Sequence, residues 1–278
     1  MGAMKISKVR INKFQSMIFS WWKQNRRNLP WRKTNDPYRI LISEVMLQQT
    51  QVSRVLLKYE EFLYFFPDVY ALATATPAKV LQVWRGMGYN RRALYLKKTA
   101  EEVVHTYHGY FPESEPELLK LSGVGKYTAR AIMVFANHAH VAMIDTNIRQ
   151  IIVHFFFGGS PQKEKDVQDV ADQLVPIGKS WEWHQALMDY GALELKNIVD
   201  KKKRVKTRAL IPFKESNRYF RGRIIDALRE KSWDETALVA YMSDFYNKPP
   251  TYIKKIIEGL IKDMLLERSK KFLRLPLT

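Results

Sequence analysis

The stretch Leu121–Asp145, LSGVGKYTARAIMVFANHAHVAMID, decides the fold. It joins a Gly123-Val124-Gly125 turn to an apolar helix and ends on a carboxylate set among Ala142, Met143, Ile144 and Ile148. A glycine turn opening a helix lets main-chain amides approach a phosphate unobstructed, at the positive end of the helix dipole. Leu119, Leu121 and Val124 supply apolar anchors for two helices meeting at an angle. The carboxylate of Asp145 is either paired or kept for chemistry. Asp145-Thr146-Asn147 also reads as a helix N-cap, and the two roles are compatible because helix amides keep a carboxylate ionised. A phosphate grip and an acid in one unit imply an enzyme acting on nucleic acid.

Composition points the same way. The 278 residues can form one large domain or two smaller ones, and 46% hydrophobic with 13% aromatic residues is a globular balance. The formal charge of +18 favours a polyanionic partner, since neutralised phosphates release counterions. No apolar run approaches the ~18 residues that span a bilayer, so no membrane association is expected. The chain has no cysteine, which excludes disulfides, thiolate metal sites and iron–sulfur clusters, and fits a cytoplasmic protein. The histidines show no ligand spacing, and no metal is expected.

The chain reads as helical nearly throughout. Three-and-four apolar spacing covers 14–22 and 37–59, and Pro67-Asp68 and Thr76-Pro77 start further helices. Helices follow over 91–105, 117–121, 126–136, 146–156, 163–174 and 183–195. The basic strip Lys196–Arg208, KNIVDKKKRVKTR, breaks this composition. Beyond it, helical patterns at 217–230, 234–243 and 250–262 and a two-stranded ribbon near the end describe a winged-helix-like module or a helical cap.

Glu44 lies in ISEVMLQQT, between Leu41-Ile42 and Val45-Met46-Leu47. It is either an edge residue facing solvent or a partly buried acid that carries a proton at neutral pH. With Asp145 it supplies the acid-plus-charge pair needed to cleave a glycosidic bond through an oxocarbenium-like state. Gln48 and Gln49, adjacent amides expected inside the same helix, suit base edges or the space left by an extruded base. Tyr89, in the glycine turn Gly86-Met87-Gly88-Tyr89, suits stacking or wedging in a duplex. Trp31 and Arg32 could stack on a flipped base and hold a phosphate. Each of these also has a plain packing role.

LPWR (29–32), DPYRILISEVMLQQTQV (36–52), WRGMGYNRRA (84–93), LSGVGKYTARAI (121–132), IDTNIR (144–149) and HQALMDYGA (184–192) together resemble the helix-hairpin-helix DNA glycosylase superfamily. The likeness is greatest to its MutY-type adenine glycosylase branch. It implies an all-α, two-lobed helix-hairpin-helix fold over 5–212, with one lobe at about 30–140 and the other from 5–29 plus 141–212. The small winged-helix-like module then occupies 213–278. The resemblance implies that Glu44 protonates the leaving base and Asp145 stabilises the sugar cation. Tyr127 stands where strand-cutting relatives carry a lysine, so a monofunctional glycosylase leaving an abasic site is expected. By the same likeness Trp31, Arg32, Gln48 and Gln185 line the base pocket, and Gln49 and Tyr89 enter the duplex. Leu121, Gly123, Val124, Gly125 and Lys126 form the hairpin that contacts DNA.

Two departures qualify the resemblance. Relatives hold a [4Fe–4S] cluster on four cysteines. The corresponding positions here are Leu195, Lys202, Val205 and Ile211, so no iron–sulfur cofactor is expected. Lys202, Lys203 and Arg204 are then expected to keep the phosphate contacts of that loop. The Nudix-like domain with which many adenine glycosylases read 8-oxoguanine has no counterpart in the tail. The leading expectation is a monomeric base excision repair enzyme of the cytoplasm or nucleoid. Its partner would be double-stranded DNA with a mismatched or damaged pair, from which it removes adenine opposite guanine or 8-oxoguanine. A thymine or uracil glycosylase at G·T and G·U pairs is the alternative. A non-catalytic DNA-binding protein is the third reading.

Overall fold

The computed structural model describes residues 4–195 and 212–277. The described residues fall into two compact units. One is drawn from Met1–Glu44, Phe111–Lys120 and Val124–Val205, the other from Val45–Tyr110, Leu121–Gly123 and Lys206–Thr278. Among the described residues no helix is long and apolar enough to cross a membrane.

In the first unit, α1 (Lys8–Asn25) packs on α11 (Ser180–Leu193), which also packs on α9 (Thr146–Phe157). α10 (Glu164–Leu174) packs on α9 as well. Phe14 sits at the middle of this core, edge-on to Phe156 at 5.1 Å and to Trp183 at 5.8 Å. Gly191 sets how closely α11 approaches α9, because a β-carbon there would stand 2.6 Å from Asn147 Cβ. The short α7 (Glu115–Leu118), capped by Ser114, pairs with α8 (Lys126–Asn137). Arg130 ties α7 to the segment after α8 through Glu115 Oε1 at 3.0 Å and Ala142 O at 2.8 Å.

The other unit holds α3 (Val52–Phe65), α4 (Val69–Thr74), α5 (Pro77–Val83) and α6 (Arg91–Tyr107). Asp68 and Thr76 cap α4 and α5 through the amides of Ala71 and Lys79, as their sequence positions require. The tail contributes α12 (Asn217–Glu230), α13 (Glu235–Tyr246) and α14 (Pro250–Lys262). Its strands are β1 (Trp233–Asp234), β2 (Glu267–Ser269) and β3 (Phe272–Arg274). The order β1-β3-β2 is antiparallel, with Trp233 opposite Leu273 and Arg268 opposite Leu273 on the other side. Ribbon and helices alternate as in a winged helix, with one strand more than the sequence suggested. Two residues are too few for an alternating pattern to register. The tail is bound to 45–110 within the unit: Ala78 N donates to Pro276 O at 2.8 Å and Arg229 Nε to Leu81 O at 3.0 Å.

The pattern read as one helix over 37–59 is two, α2 (Pro37–Leu47) and α3. Gln48 and Gln49 therefore occupy a turn, with Gln49 at φ +53°. Arg92 explains the break. Its Nη1 donates to the carbonyls of Val45, Met46 and Gln48, acceptors that a continuing helix would have used itself.

Candidate active site

The residues expected to carry chemistry meet in the first unit. Helix α2 is apolar around its last turns, with Ile40, Leu41, Ile42, Val45 and Met46 all buried, so Glu44 is carried into the interior at 5% exposure. Burial pushes its carboxyl up to about 7; a hydrogen bond from Tyr127 pulls it down, the Asp145 charge raises it, and Arg32 lowers it. Such a group holds a proton at neutral pH and can release it.

Tyr127 stands in the first turn of α8, half-buried, with its hydroxyl shared between Glu44 and the Met188 sulfur at 4.0 Å. Burial, then the charges of Glu44 and Asp145, lift its ionisation well above the ordinary phenol value. It remains a neutral donor.

Asp145 reaches the site through an anchored extended segment. Ala142 O accepts from Arg130 and from Gln168 Nε2, and the buried Met143 amide donates to His184 Nε2 at 3.1 Å. Asp145 then caps α9, Oδ1 accepting the Ile148 amide at 2.7 Å. Burial raises its carboxyl, and the hydrogen bonds from Ile148 and Asn147 oppose that rise. The two acids thus differ in kind: Glu44 lies in an apolar wall, Asp145 at the positive end of a helix.

Arg32 ends the turn Pro30–Arg32 and does not face outward to a phosphate. Its guanidinium is held by Asp189 and by Arg27 O, close enough to Glu44 to lower that carboxyl. Trp31 is buried at 7% exposure. Gln185 is buried on α11 next to His184, and among the described residues its Oε1 has no hydrogen-bond partner. One turn on, Met188 touches Tyr127, so Gln185 lies on the helix face that serves the site.

The remaining candidates divide. Gln48, Gln49 and Tyr89 belong to the other unit and are exposed. In the hairpin, Gly123, Gly125 and Lys126 are exposed, whereas Leu121 and Val124 are buried at 3% and 6% and offer an outside ligand only main chain. Gly123 adopts φ +77°, and a β-carbon there would stand 2.8 Å from Tyr95 Cβ. Lys202, Lys203 and Arg204 lie outside the described residues.

Residues 42–176 match the model of the HhH-GPD superfamily base excision DNA repair proteins. The adenine DNA glycosylase of Mycolicibacterium smegmatis is 31% identical over 274 residues, covering 91% of this chain and 92% of its own. The chain belongs to the HhH-GPD superfamily.

A second adenine DNA glycosylase, from Buchnera aphidicola subsp. Baizongia pistaciae, is 36% identical over 183 residues, but the match spans 65% of this HhH-GPD chain and 52% of that relative. The solved structure of a thermostable thymine-DNA glycosylase superposes with a TM-score of 0.63 at 32% identity, covering 66% of this chain and 87% of the other. An iron–sulfur cluster does not fit this HhH-GPD chain, which offers no thiolate. Leu195, at the first expected ligand position, packs into the apolar core at 2% exposure, and Lys202, Val205 and Ile211 lie outside the described residues. Three residues the sequence left without a role matter here: Asp189, His184 and Arg92. All lie within the quoted motifs, and what hid them is that each acts on a main-chain or side-chain partner far away in sequence.

Proposed function

We propose that this protein is a monofunctional DNA glycosylase that removes adenine opposite guanine or 8-oxoguanine and leaves an abasic site. The observation that carries the reading is the unequal acid pair, a buried Glu44 with its carboxyl near 7 and Asp145 on a helix N-terminus. In the first step Glu44 gives its proton to a ring nitrogen of the base as the C1′–N bond breaks, and the bonding pair leaves with the base. The sugar becomes an oxocarbenium ion facing the Asp145 carboxylate, where fixed negative charge lowers the barrier. Water adds to C1′ and its proton returns to Glu44, restoring the acid. Tyr127, a neutral phenol, forms no Schiff base, so the strand stays intact. The unpartnered Gln185 Oε1 provides an acceptor for an amino group of the base. The protein works as a monomer on duplex DNA, with Gly123, Gly125 and Lys126 on the backbone.

Thymine or uracil removal from G·T or G·U pairs is the second reading, supported by the 87% coverage of the thymine-DNA glycosylase structure. The test is incubation with duplexes carrying A·8-oxoG, A·G, T·G or U·G, followed by alkali. Adenine release is expected. Release of thymine without adenine replaces the substrate, and an absence of release from all four duplexes removes the enzymatic reading. Breaks without alkali contradict the monofunctional assignment.

A further inference from the structure

A second site lies in the other unit. A cavity of about 750 Å³ opens between the loop Gly86–Asn90 and helix α12 of the tail. Its wall carries seven arginines and two aspartates, a formal excess of five positive charges. Ordinary packing accounts for most of them. Asp263 holds Arg221 at 2.5 Å and Arg91 at 3.6 Å, Asp226 holds Arg223 and Arg229, and Arg92 is spent on the carbonyls that end α2. Two guanidiniums are left over. Arg54 and Arg218 are exposed, and among the described residues neither has a carboxylate partner. Arg218 instead lies over the Tyr89 ring, its Cζ 3.6 Å from the centroid, with Nη1 2.5 Å from the Tyr89 hydroxyl.

Crowding like charges around one concavity costs Coulomb energy unless an anion visits. The planar fork of arginine matches a phosphodiester, and Tyr89 with Phe213, which also faces Arg218, offers the aromatic surface on which a nucleotide base or sugar packs. We propose that this cavity is a second DNA-backbone site, in which Arg218 and Arg54 hold a phosphodiester of the bound strand and Tyr89 packs against its nucleotide. The tail thereby contacts DNA through its first helix. The choice of DNA as the source of the phosphate rests on the glycosylase reading.

The test uses the full chain and fluorescence anisotropy with a mismatched duplex between about 50 and 200 mM salt. Each arginine removed should lower the log–log salt slope by about 0.9, and Arg54→Ala/Arg218→Ala should bind about 10–100-fold more weakly at moderate salt. Arg218→Lys should keep most of the slope. Unchanged slope and affinity in a double variant that melts with the wild type overturns the site. If Arg218→Ala lowers the melting temperature, Arg54→Ala decides alone, because Arg54 is exposed and makes no ion pair among the described residues. Deoxyadenosine monophosphate or inorganic phosphate raising the melting temperature as much as duplex does would make this a free-anion site and overturn the DNA assignment. The two readings fail separately. Wild-type protein that shows these slopes but releases no base loses the glycosylase assignment and keeps this site. Base release with slopes that ignore Arg54 and Arg218 does the reverse.

Discussion

Arg32 meets Asp189 fork to fork, Nη2 2.7 Å from Oδ1 and Nη1 2.8 Å from Oδ2. The Asp189 side chain is wholly out of solvent and that of Arg32 keeps 7% exposure. The same carboxylate accepts from Arg27 Nε at 2.6 Å and from Trp22 Nε1 at 2.9 Å. Burial alone would raise it, and Arg32 and Arg27 more than reverse that, holding it below the ordinary carboxylate range.

Removing one partner leaves a buried charge uncompensated. Arg32→Ala and Asp189→Asn should each cost about 3–5 kcal/mol in urea unfolding at pH 7. Because the folded Asp189 value is depressed, its contribution is intact above the unfolded carboxylate value and is lost only as acid protonates the folded form. A loss under about 1 kcal/mol in either variant would show that the pair does not organise the core.

In the proposed mechanism Glu44 acts as an acid, so single-turnover base release should fall as pH rises through about 7. Glu44→Gln should lower that rate by about 10²–10⁴ or more. Tyr127→Phe removes a bond that favours the carboxylate, so the alkaline limb should move upward. A limb that stays put, or moves down, removes Tyr127 from control of this proton.

The same shift affects stability. A carboxyl raised from 4.5 to about 7 on folding contributes fully below pH 4.5 and loses that contribution as pH climbs through 7, about 3 kcal/mol at the upper limit. Glu44→Gln should therefore melt above the wild type at pH 8, with the gap closing near pH 4.5. Parallel melting curves at both pH values contradict this.

His184 is neutral, its value lowered to about 4 by burial, against the effect of its bond to Ser180 O. A depressed histidine loses its contribution as pH falls through the folded value. His184→Leu should cost about 1–3 kcal/mol at pH 7 by stranding the buried Met143 amide. It should also slow base release by displacing Asp145, and normal release from this variant would separate the anchor from the chemistry.

The two hairpin glycines should respond differently. Gly123→Ala meets both φ +77° and Tyr95, and is expected to cost about 2 kcal/mol or more. Among the described residues a β-carbon on Gly125 meets nothing within 4 Å, so Gly125→Ala should cost only about 0.5–1 kcal/mol as a poorer N-cap. Its deficit should appear in DNA affinity, and equal binding by Gly125→Ala and wild type would take the turn off the backbone.

Much of this was legible because it is local. Asp145 as a cap needs only Thr146, Asn147 and Ile148, and Glu44 beside an apolar run needs one turn of helix. The third strand and the end of α2 were not, since the first has two residues and the second is decided by Arg92, more than forty residues away. Arg32 reads from sequence as a residue free to hold a phosphate for the same reason: its partner, Asp189, is 157 residues away. Composition gave the basic excess without saying which arginines were paired.

The packing of α1 against α11 has a consequence for synthesis. Once made, helix α1 finds its apolar partner α11 only after about 155 more residues have emerged, so Phe14 and Ile18 must wait with their faces open. Closing so long a loop is slow, although each doubling of its length costs only about 0.6 kcal/mol. The unit from Val45 has a complete run of local neighbours, α3 to α6, and is the part expected to take shape first on the growing chain.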